Sequence, residues 1–404
     1  MINNDIKNVL FVTFDFHEIN KPIKSVAVAT LESYLKENIK PINIDAFSFN
    51  MNSEYTIIFD QLAALNKMLV SNYDFVCISF YSWSMRFIDN IIDLVKSNNP
   101  LTQIIAGGYE VGSRTVDSLI NQYSKVDKFI IGFAEESLLE ILTSKSDDKV
   151  YSKEVDNKMI PCIYSNGIID INDNSVVRIE TKRGCPANCS FCSYKSNDHS
   201  KITCHDIEKV KLELRYLNEI NVQKVNIIDP IFSIKNYLEI LEYLLSINFK
   251  PIISFQMKFE IFYNLIKKSE GLLEKLAEIN CTLEFGLQSI SRQVLDNVER
   301  VNDFTSIEYV IRNLNEFDID YELSIIRGLP GETCESYEAI FEWMKRNNCK
   351  RHVVYPLSLL KNTKMDVNSN TLTLGTFDQN GITYVNSSYS YTLTDYLQMM
   401  EYEE

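Results

Sequence analysis

The chain has 404 residues, 45% of them apolar and 11% aromatic, with a formal net charge of -15. That length exceeds the ~250–300 residues at which one hydrophobic core stops growing, so two domains are expected. The acidic balance argues against a phosphate backbone as partner, and no apolar run approaches the ~20 residues of a membrane span. Of the nine cysteines, Cys77, Cys162, Cys204, Cys281, Cys334 and Cys349 follow no regular spacing and read as buried free thiols in a reducing compartment, the cytoplasm.

From the N-terminus, β-branched and aromatic runs alternate with amphipathic stretches. Strands are expected at 8–15, 42–47, 75–81, 103–106 and 128–132, and helices at 25–36, 57–70, 85–96 and 113–123. This is the pattern of a doubly wound, Rossmann-like parallel sheet over residues 1–144, with function at the carboxyl ends of its strands. The loops there hold Tyr81 and Trp83, the Gly107-Gly108 pair, and Gly132 followed by Glu135. A glycine pair lets backbone approach a flat ligand closely, although such a pair is often only a turn and a loop tryptophan often only packs. His17, in Asp15-Phe16-His17-Glu18-Ile19-Asn20, is either a metal ligand or a polar residue ending the first strand.

Residues 145–175 are polar and turn-rich and read as a linker with a hairpin at Asn166-Gly167. Strands then recur at 176–181, 225–228, 252–257, 282–285, 321–326 and 352–357, with helices at 206–219, 234–246, 271–278, 304–317 and 334–346. Six strand-helix units over 176–362 make a partial (β/α)6 TIM barrel whose chemistry belongs at the strands' carboxyl ends. Asp206 and Thr333 are expected N-caps, and Ile207, Val210, Leu214 and Leu217 form a core stripe. Residues 363–404 form a polar tail rich in Tyr, Thr and Asn.

After the first barrel strand comes Arg183-Gly184-Cys185-Pro186-Ala187-Asn188-Cys189-Ser190-Phe191-Cys192. Three thiolates spaced C-x3-C-x2-C suit three irons of a four-iron cubane and leave the fourth iron open, whereas a structural zinc site closes with four ligands. The competing reading is a zinc knuckle that borrows Cys204 or His205.

The motif, with an aromatic before its last cysteine and a Gly-Cys-Pro entry turn, resembles the radical S-adenosylmethionine (SAM) superfamily. The resemblance implies a 4Fe-4S cluster on Cys185, Cys189 and Cys192 that chelates SAM, with Phe191 beside it. It implies SAM contacts from Asp229 to the amino group, from Glu284 and Gln288 to the ribose, and from Gly328 and Tyr355 to the adenine. Gly328 opens the hexapeptide Gly-Leu-Pro-Gly-Glu-Thr, the second most specific signal in the chain. For Glu284 the plain alternative is a salt bridge inside the barrel. The upstream loops resemble the cobalamin-binding domain of cobalamin-dependent radical SAM enzymes, implying corrin contacts from Tyr81, Trp83, Gly107, Gly108, Gly132 and Glu135. Members of that family commonly lack a histidine ligand, so His17 decides nothing about cobalamin.

Together these resemblances, which cover residues 1–362, imply cleavage of SAM to a 5′-deoxyadenosyl radical and cobalamin-assisted methylation of an unactivated carbon. The substrate would be a small molecule, a natural product or a peptide, and the electron would come from a flavodoxin or ferredoxin. Three other readings stay open: cobalamin-dependent cyclisation or rearrangement, a radical SAM enzyme that no longer binds cobalamin, and a cluster-bearing sensor without turnover.

Overall fold

The computed structural model describes residues 6–53, 55–144, 146–194, 201–231 and 234–403. The chain divides into two compact units, Met1–Ile171 and Asn172–Glu404.

The first unit runs β1 (Lys7–Asp15), α1 (Val26–Asn38), β2 (Ile42–Asn50), α2 (Tyr55–Leu69), β3 (Phe75–Ser79), α3 (Met85–Asn98), β4 (Gln103–Gly107), α4 (Tyr109–Gly112), α5 (Val116–Gln122), β5 (Lys128–Ile130), α6 (Glu135–Thr143) and β6 (Val150–Tyr151). Its six strands are parallel, in the order β2-β1-β3-β4-β5-β6. The apolar run of β1 is continuous because both faces are covered: Leu10, Val12 and Phe14 enter one core, Val9 and Phe11 the other. Along α3, Phe87, Ile88, Ile91, Ile92 and Val95 recur at helical spacing and are buried.

The expected linker is largely part of this unit. β6 extends the sheet, and Ile160, Ile163, Tyr164 and Ile169 are buried. Ser33 Oγ donates to the Cys162 carbonyl at 3.0 Å, Asn166 Nδ2 donates to Ser33 Oγ at 2.7 Å, and Lys24 Nζ donates to the Ile168 carbonyl at 3.0 Å. Scattered apolar residues in a polar frame anchor the segment without the periodicity of a helix or strand. Asn166-Gly167 lies in a turn, with Gly167 N donating to Tyr164 O at 2.9 Å, and no strand flanks it among the described residues.

The second unit runs β7 (Val176–Ile179), β8 (Lys182–Arg183), β9 (Thr203–Cys204), α7 (Ile207–Ile220), β10 (Lys224–Ile227), α8 (Ile234–Ser246), β11 (Ile252–Met257), α9 (Phe259–Lys268), α10 (Leu272–Ala277), β12 (Cys281–Gln288), α11 (Arg292–Asn297), α12 (Phe304–Glu316), β13 (Asp320–Arg327), α13 (Cys334–Arg346), β14 (His352–Pro356), α14 (Lys364–Val367), β15 (Gly375–Gln379), β16 (Ile382–Ser387) and α15 (Leu393–Glu401). β7 and β10 to β14 pair as parallel neighbours in chain order, forming a curled half-barrel. Asp206 and Thr333 cap α7 and α13 as expected, accepting from Glu208 N and Ser336 N. On β12 and β13 the odd-numbered residues are buried, Leu283, Phe285, Leu323 and Ile325 fully, while most even-numbered ones are less so.

Residues beyond 362, read from the sequence only as a polar C-terminal tail, pack into the second unit. Val385 N donates to Leu357 O at 2.9 Å, Leu359 N to Thr383 O at 2.8 Å, and Tyr337 Oη to Glu403 Oε1 at 2.7 Å. Val385, Tyr391, Tyr396 and Met399 are buried. The polar composition hid a β15-β16 hairpin and a helix that buries only Tyr396 and Met399.

Candidate active site

The cysteine loop leaves the half-barrel between β8 and β9, two short antiparallel strands that pair Lys182 with Cys204 and Arg183 with Thr203. Asp229 fixes its root. Its carboxylate, on a residue only 1% exposed, accepts from Thr181 N at 2.7 Å, from Lys182 N at 3.2 Å and from the Thr181 hydroxyl. Burial raises the pKa of this carboxyl, against the pull of Lys182, whose Nζ is 4.0 Å away. Asp229 therefore does not face the cavity, as a contact to the SAM amino group requires: β10 lies beside β7, and the nearest donors are the amides where that chain turns out of the sheet. Gly184 is confined as well, since at φ +95° a Cβ there would lie 2.0 Å from the Lys201 carbonyl oxygen.

Beyond this root, Cys185, Cys189 and Cys192, all free thiols, line a cavity of about 350 Å³. Cys192 N donates to Cys189 O at 3.1 Å, and Ser190 N donates to Val298 O at 2.9 Å, which ties the loop to the segment after α11. Phe191 lines the cavity and packs against a cluster containing Leu329, Leu357 and Met365. Burial raises the Cys192 pKa, and the neighbouring Cys189 and Cys185 raise it further, while Arg300 opposes them. Three soft donors beside a cation suit an iron-sulfur cluster, in which each thiolate binds a different iron. Among the described residues, no three His, Cys, Asp or Glu side chains are grouped to hold a single metal ion. Cys204 instead pairs in β9, and His205 Nε2 lies 3.4 Å from Glu180 Oε2.

The remaining walls come from the strands' carboxyl ends: Gln256 to Lys258 after β11, Glu284, Gly286 and Gln288 on β12, Ser324 and Ile326 on β13, and Tyr355 on β14. Glu284 pairs in register with Glu322, whose carboxyl pKa is raised by burial and then by Glu284. Gln288 follows an irregularity in the β12-β13 register, and its buried Oε1 has no hydrogen-bond partner among the described residues. Tyr355 is 51% exposed, and its phenol pKa is raised by partial burial and by Glu322 and Glu284.

Gly328 does not reach this cavity. Its carbonyl accepts from Tyr391 Oη at 2.6 Å, so it seats the C-terminal segment where an adenine contact was expected. In the same hexapeptide Glu332 is fully buried and accepts from Ser289 Oγ at 2.8 Å and from Ser336 Oγ, joining the end of β12 to α13. The sequence reading missed Arg300 and Ser324, and it placed Gln256 and Lys258 at the end of the third barrel strand without a role. Gln256 and Ser324 share the even-numbered face of their strands with Glu284, a period-2 signal present in the sequence.

In the first unit the candidate residues gather at the carboxyl end of its sheet. Tyr81 and Trp83 stack with ring centroids 4.8 Å apart and planes within 3°, Phe16 lies 5.7 Å from Trp83, and Trp83 Nε1 donates to Phe14 O at 2.8 Å. An aromatic plate of this kind fits a flat macrocycle, and at Gly107 a Cβ would meet only Ile130 atoms at 3.9 Å. Gly108 is different: at φ +107° its Cβ would lie 2.8 Å from the Phe80 carbonyl oxygen, so β3 packing already demands glycine there. Gly132 precedes α6, and Glu135 is buried in that helix's first turn instead of standing in an open loop. His17 Nε2 is 2.9 Å from Ser48 Oγ, and Asp15 Oδ2 accepts from Ser48 Oγ at 2.8 Å and Thr13 Oγ1 at 2.9 Å. Burial lowers the His17 pKa against the opposing effect of Asp15.

The family profile described as the Radical SAM superfamily matches residues 179–344. The cobalamin-dependent radical SAM methyltransferase TokK of Streptomyces tokunonensis is 23% identical over 336 residues, covering 72% of this chain and 48% of TokK. This chain thus spans less than half the length of that relative. The radical SAM methyltransferase TsrM of Kitasatospora setae, solved with tryptophan and a SAM analogue, superposes with TM-score 0.72 at 13% identity, covering 98% of this chain and 89% of TsrM. The cobalamin-dependent SAM radical enzyme OxsB, solved with aqua-cobalamin, gives TM-score 0.71 at 15% identity, covering 98% of this chain and 66% of OxsB. The chain carries a radical SAM domain and is related to cobalamin-dependent radical SAM methyltransferases in sequence and in fold.

Proposed function

We propose that this radical SAM chain is an enzyme that uses cobalamin to methylate an unactivated carbon of a small-molecule substrate, such as a natural-product intermediate. The observation that carries the reading is the convergence of Cys185, Cys189 and Cys192 on one cavity whose far walls hold Glu284, Gln288 and Tyr355. A four-iron cluster bound there supplies an open iron for SAM and one electron for its cleavage to methionine and a 5′-deoxyadenosyl radical. The chain's own residues provide the rest. The three thiolates hold the cluster, Phe191 shields one side of it, and Glu284 and the partnerless Gln288 Oε1 accept from the ribose hydroxyls. Tyr355 offers an exposed ring face to the adenine, and Ile231, Met257 and Ile326 exclude water from the radical's path.

In the first unit, Tyr81, Trp83, Gly107, Gly132 and Glu135 would hold the cobalamin that supplies the methyl group. The reductant is a flavodoxin or ferredoxin, and the compartment is the cytoplasm, where the free thiols stay reduced.

Anaerobic reconstitution followed by incubation with SAM and a strong reductant tests the reading. About four irons per chain and formation of 5′-deoxyadenosine are expected; iron without 5′-deoxyadenosine would sink the enzyme assignment. The packing of Gly108 against Phe80 favours a second reading, in which the glycine pair is only structural and the enzyme works by hydrogen abstraction without cobalamin. Protein that keeps its cluster but retains no hydroxocobalamin on gel filtration would select that second reading.

A further inference from the structure

Arg300 is buried, and among the described residues its hydrogen-bond partners are a carbonyl, an amide oxygen and a cysteine sulfur. No carboxylate among them forms a salt bridge with it. A buried guanidinium without a counter-ion is costly, so something anionic in its surroundings compensates it. The thiol wall supplies such a group once its cysteines ligate a cluster: Arg300 Nη1 lies 3.8 Å from Cys189 Sγ, on the cavity that also exposes Cys185 and Cys192.

The guanidinium is held in place on its other sides. Nη2 donates to the Gly286 carbonyl on β12, and Nε donates to Asn302 Oδ1 at 3.2 Å. Asn302 Nδ2 in turn donates to Leu287 O at 2.8 Å. A Cβ at Gly286 would lie 3.1 Å from Arg300 Nη2, so glycine is what lets the planar fork lie against the strand. The preceding Val298 accepts from Ser190 N at 2.9 Å, so the arginine's own segment is tied to the cysteine loop.

We propose that Arg300 is a positioning residue whose clamped guanidinium raises the reduction potential of the cluster held by Cys185, Cys189 and Cys192. The proposal rests on the cluster assignment made above. Reduction by an external flavodoxin or ferredoxin adds one electron, and hence one negative charge, to the cluster. A fixed cation and an N–H···S hydrogen bond stabilise that more negative state, and both are established determinants of cluster potential. Lysine keeps the charge but loses the three-way fork, so it restores only part of the effect.

The test is a redox titration of the anaerobically reconstituted full chain, read by electron paramagnetic resonance and without SAM. At the potential that reduces half of the wild-type clusters, Arg300→Met should lower the reduced-to-oxidised ratio by about tenfold, equivalent to ~59 mV for a one-electron couple. Arg300→Lys should give a smaller shift in the same direction, and Asn302→Ala, which frees the guanidinium without removing it, a smaller one still. A wild-type potential in iron-loaded Arg300→Met would overturn the proposal, because a role confined to binding SAM leaves the SAM-free potential unchanged. Should Arg300→Met fail to hold iron, wild-type potentials in both Arg300→Lys and Asn302→Ala overturn it equally. Wild-type protein that binds no iron would instead overturn the cluster assignment itself.

Discussion

Both units place their candidate residues at the carboxyl end of a parallel sheet, yet the two ends are built differently. In the half-barrel, seven separate segments line one cavity, and Gln288 Oε1 there keeps its hydrogen-bonding capacity unspent. At the end of the first sheet three candidates are already committed: Trp83 to Phe14, Gly108 to Phe80, His17 to Ser48. Unspent capacity in a concave wall points to a ligand, whereas spent capacity is equally well explained by packing.

The sharpest way to break this contrast is in the cysteine loop. Alanine at Cys185, Cys189 or Cys192 should abolish both iron binding and SAM cleavage, as read by iron assay and 5′-deoxyadenosine. Retained cleavage in any one of them would remove that cysteine from the ligand set. Gly184→Ala should have nearly as large an effect, because its Cβ would overlap the Lys201 carbonyl; loss of iron loading with the far-ultraviolet circular dichroism unchanged is expected.

Smaller effects belong to the opposite wall. A hydrogen bond to a charged acceptor is worth roughly 1.5–3 kcal/mol, so Glu284→Gln should weaken SAM binding by about tenfold or more while iron content stays intact. Unchanged SAM affinity by equilibrium binding would make Glu284 structural. In the first unit the two adjacent glycines should separate. Gly108→Ala should cost about 1–3 kcal/mol of stability in thermal or urea unfolding, because both its φ and its space exclude a side chain. Gly107→Ala should fold normally and lower only cobalamin retention, and an equal loss of stability in the two variants would erase the distinction. The least effect is expected from His17→Ala, whose ring nitrogen is already engaged by Ser48.

The sequence carried more of the second unit than of the first. C-x3-C-x2-C and the alternation on β12 place thiols and carboxylates directly, because ligand spacing and strand period are local properties. Asp229 and Gly328 lie off the cavity for a shared reason. Both sit at strand ends where chemistry is expected, but their partners, Thr181 and Tyr391, lie 48 and 63 residues away in the chain. Arg300 was missed because what distinguishes it, a carbonyl on one side and a sulfur on the other, exists only once α11 and the cysteine loop are brought together. The anchoring of residues 150–171 and of the C-terminal segment was equally illegible, since single buried side chains in polar stretches leave no periodic trace.

The seating of the C-terminal segment also bears on the order of events during synthesis. The contacts that complete the half-barrel join Gly328 to Tyr391, and Arg327 and Tyr337 to Glu403, so they form only after residue 403 has left the ribosome. The first sheet uses residues 7–151 alone and can form while the rest is still being translated. Chains arrested near residue 362 should therefore show a protease-resistant first unit and a digestible second one.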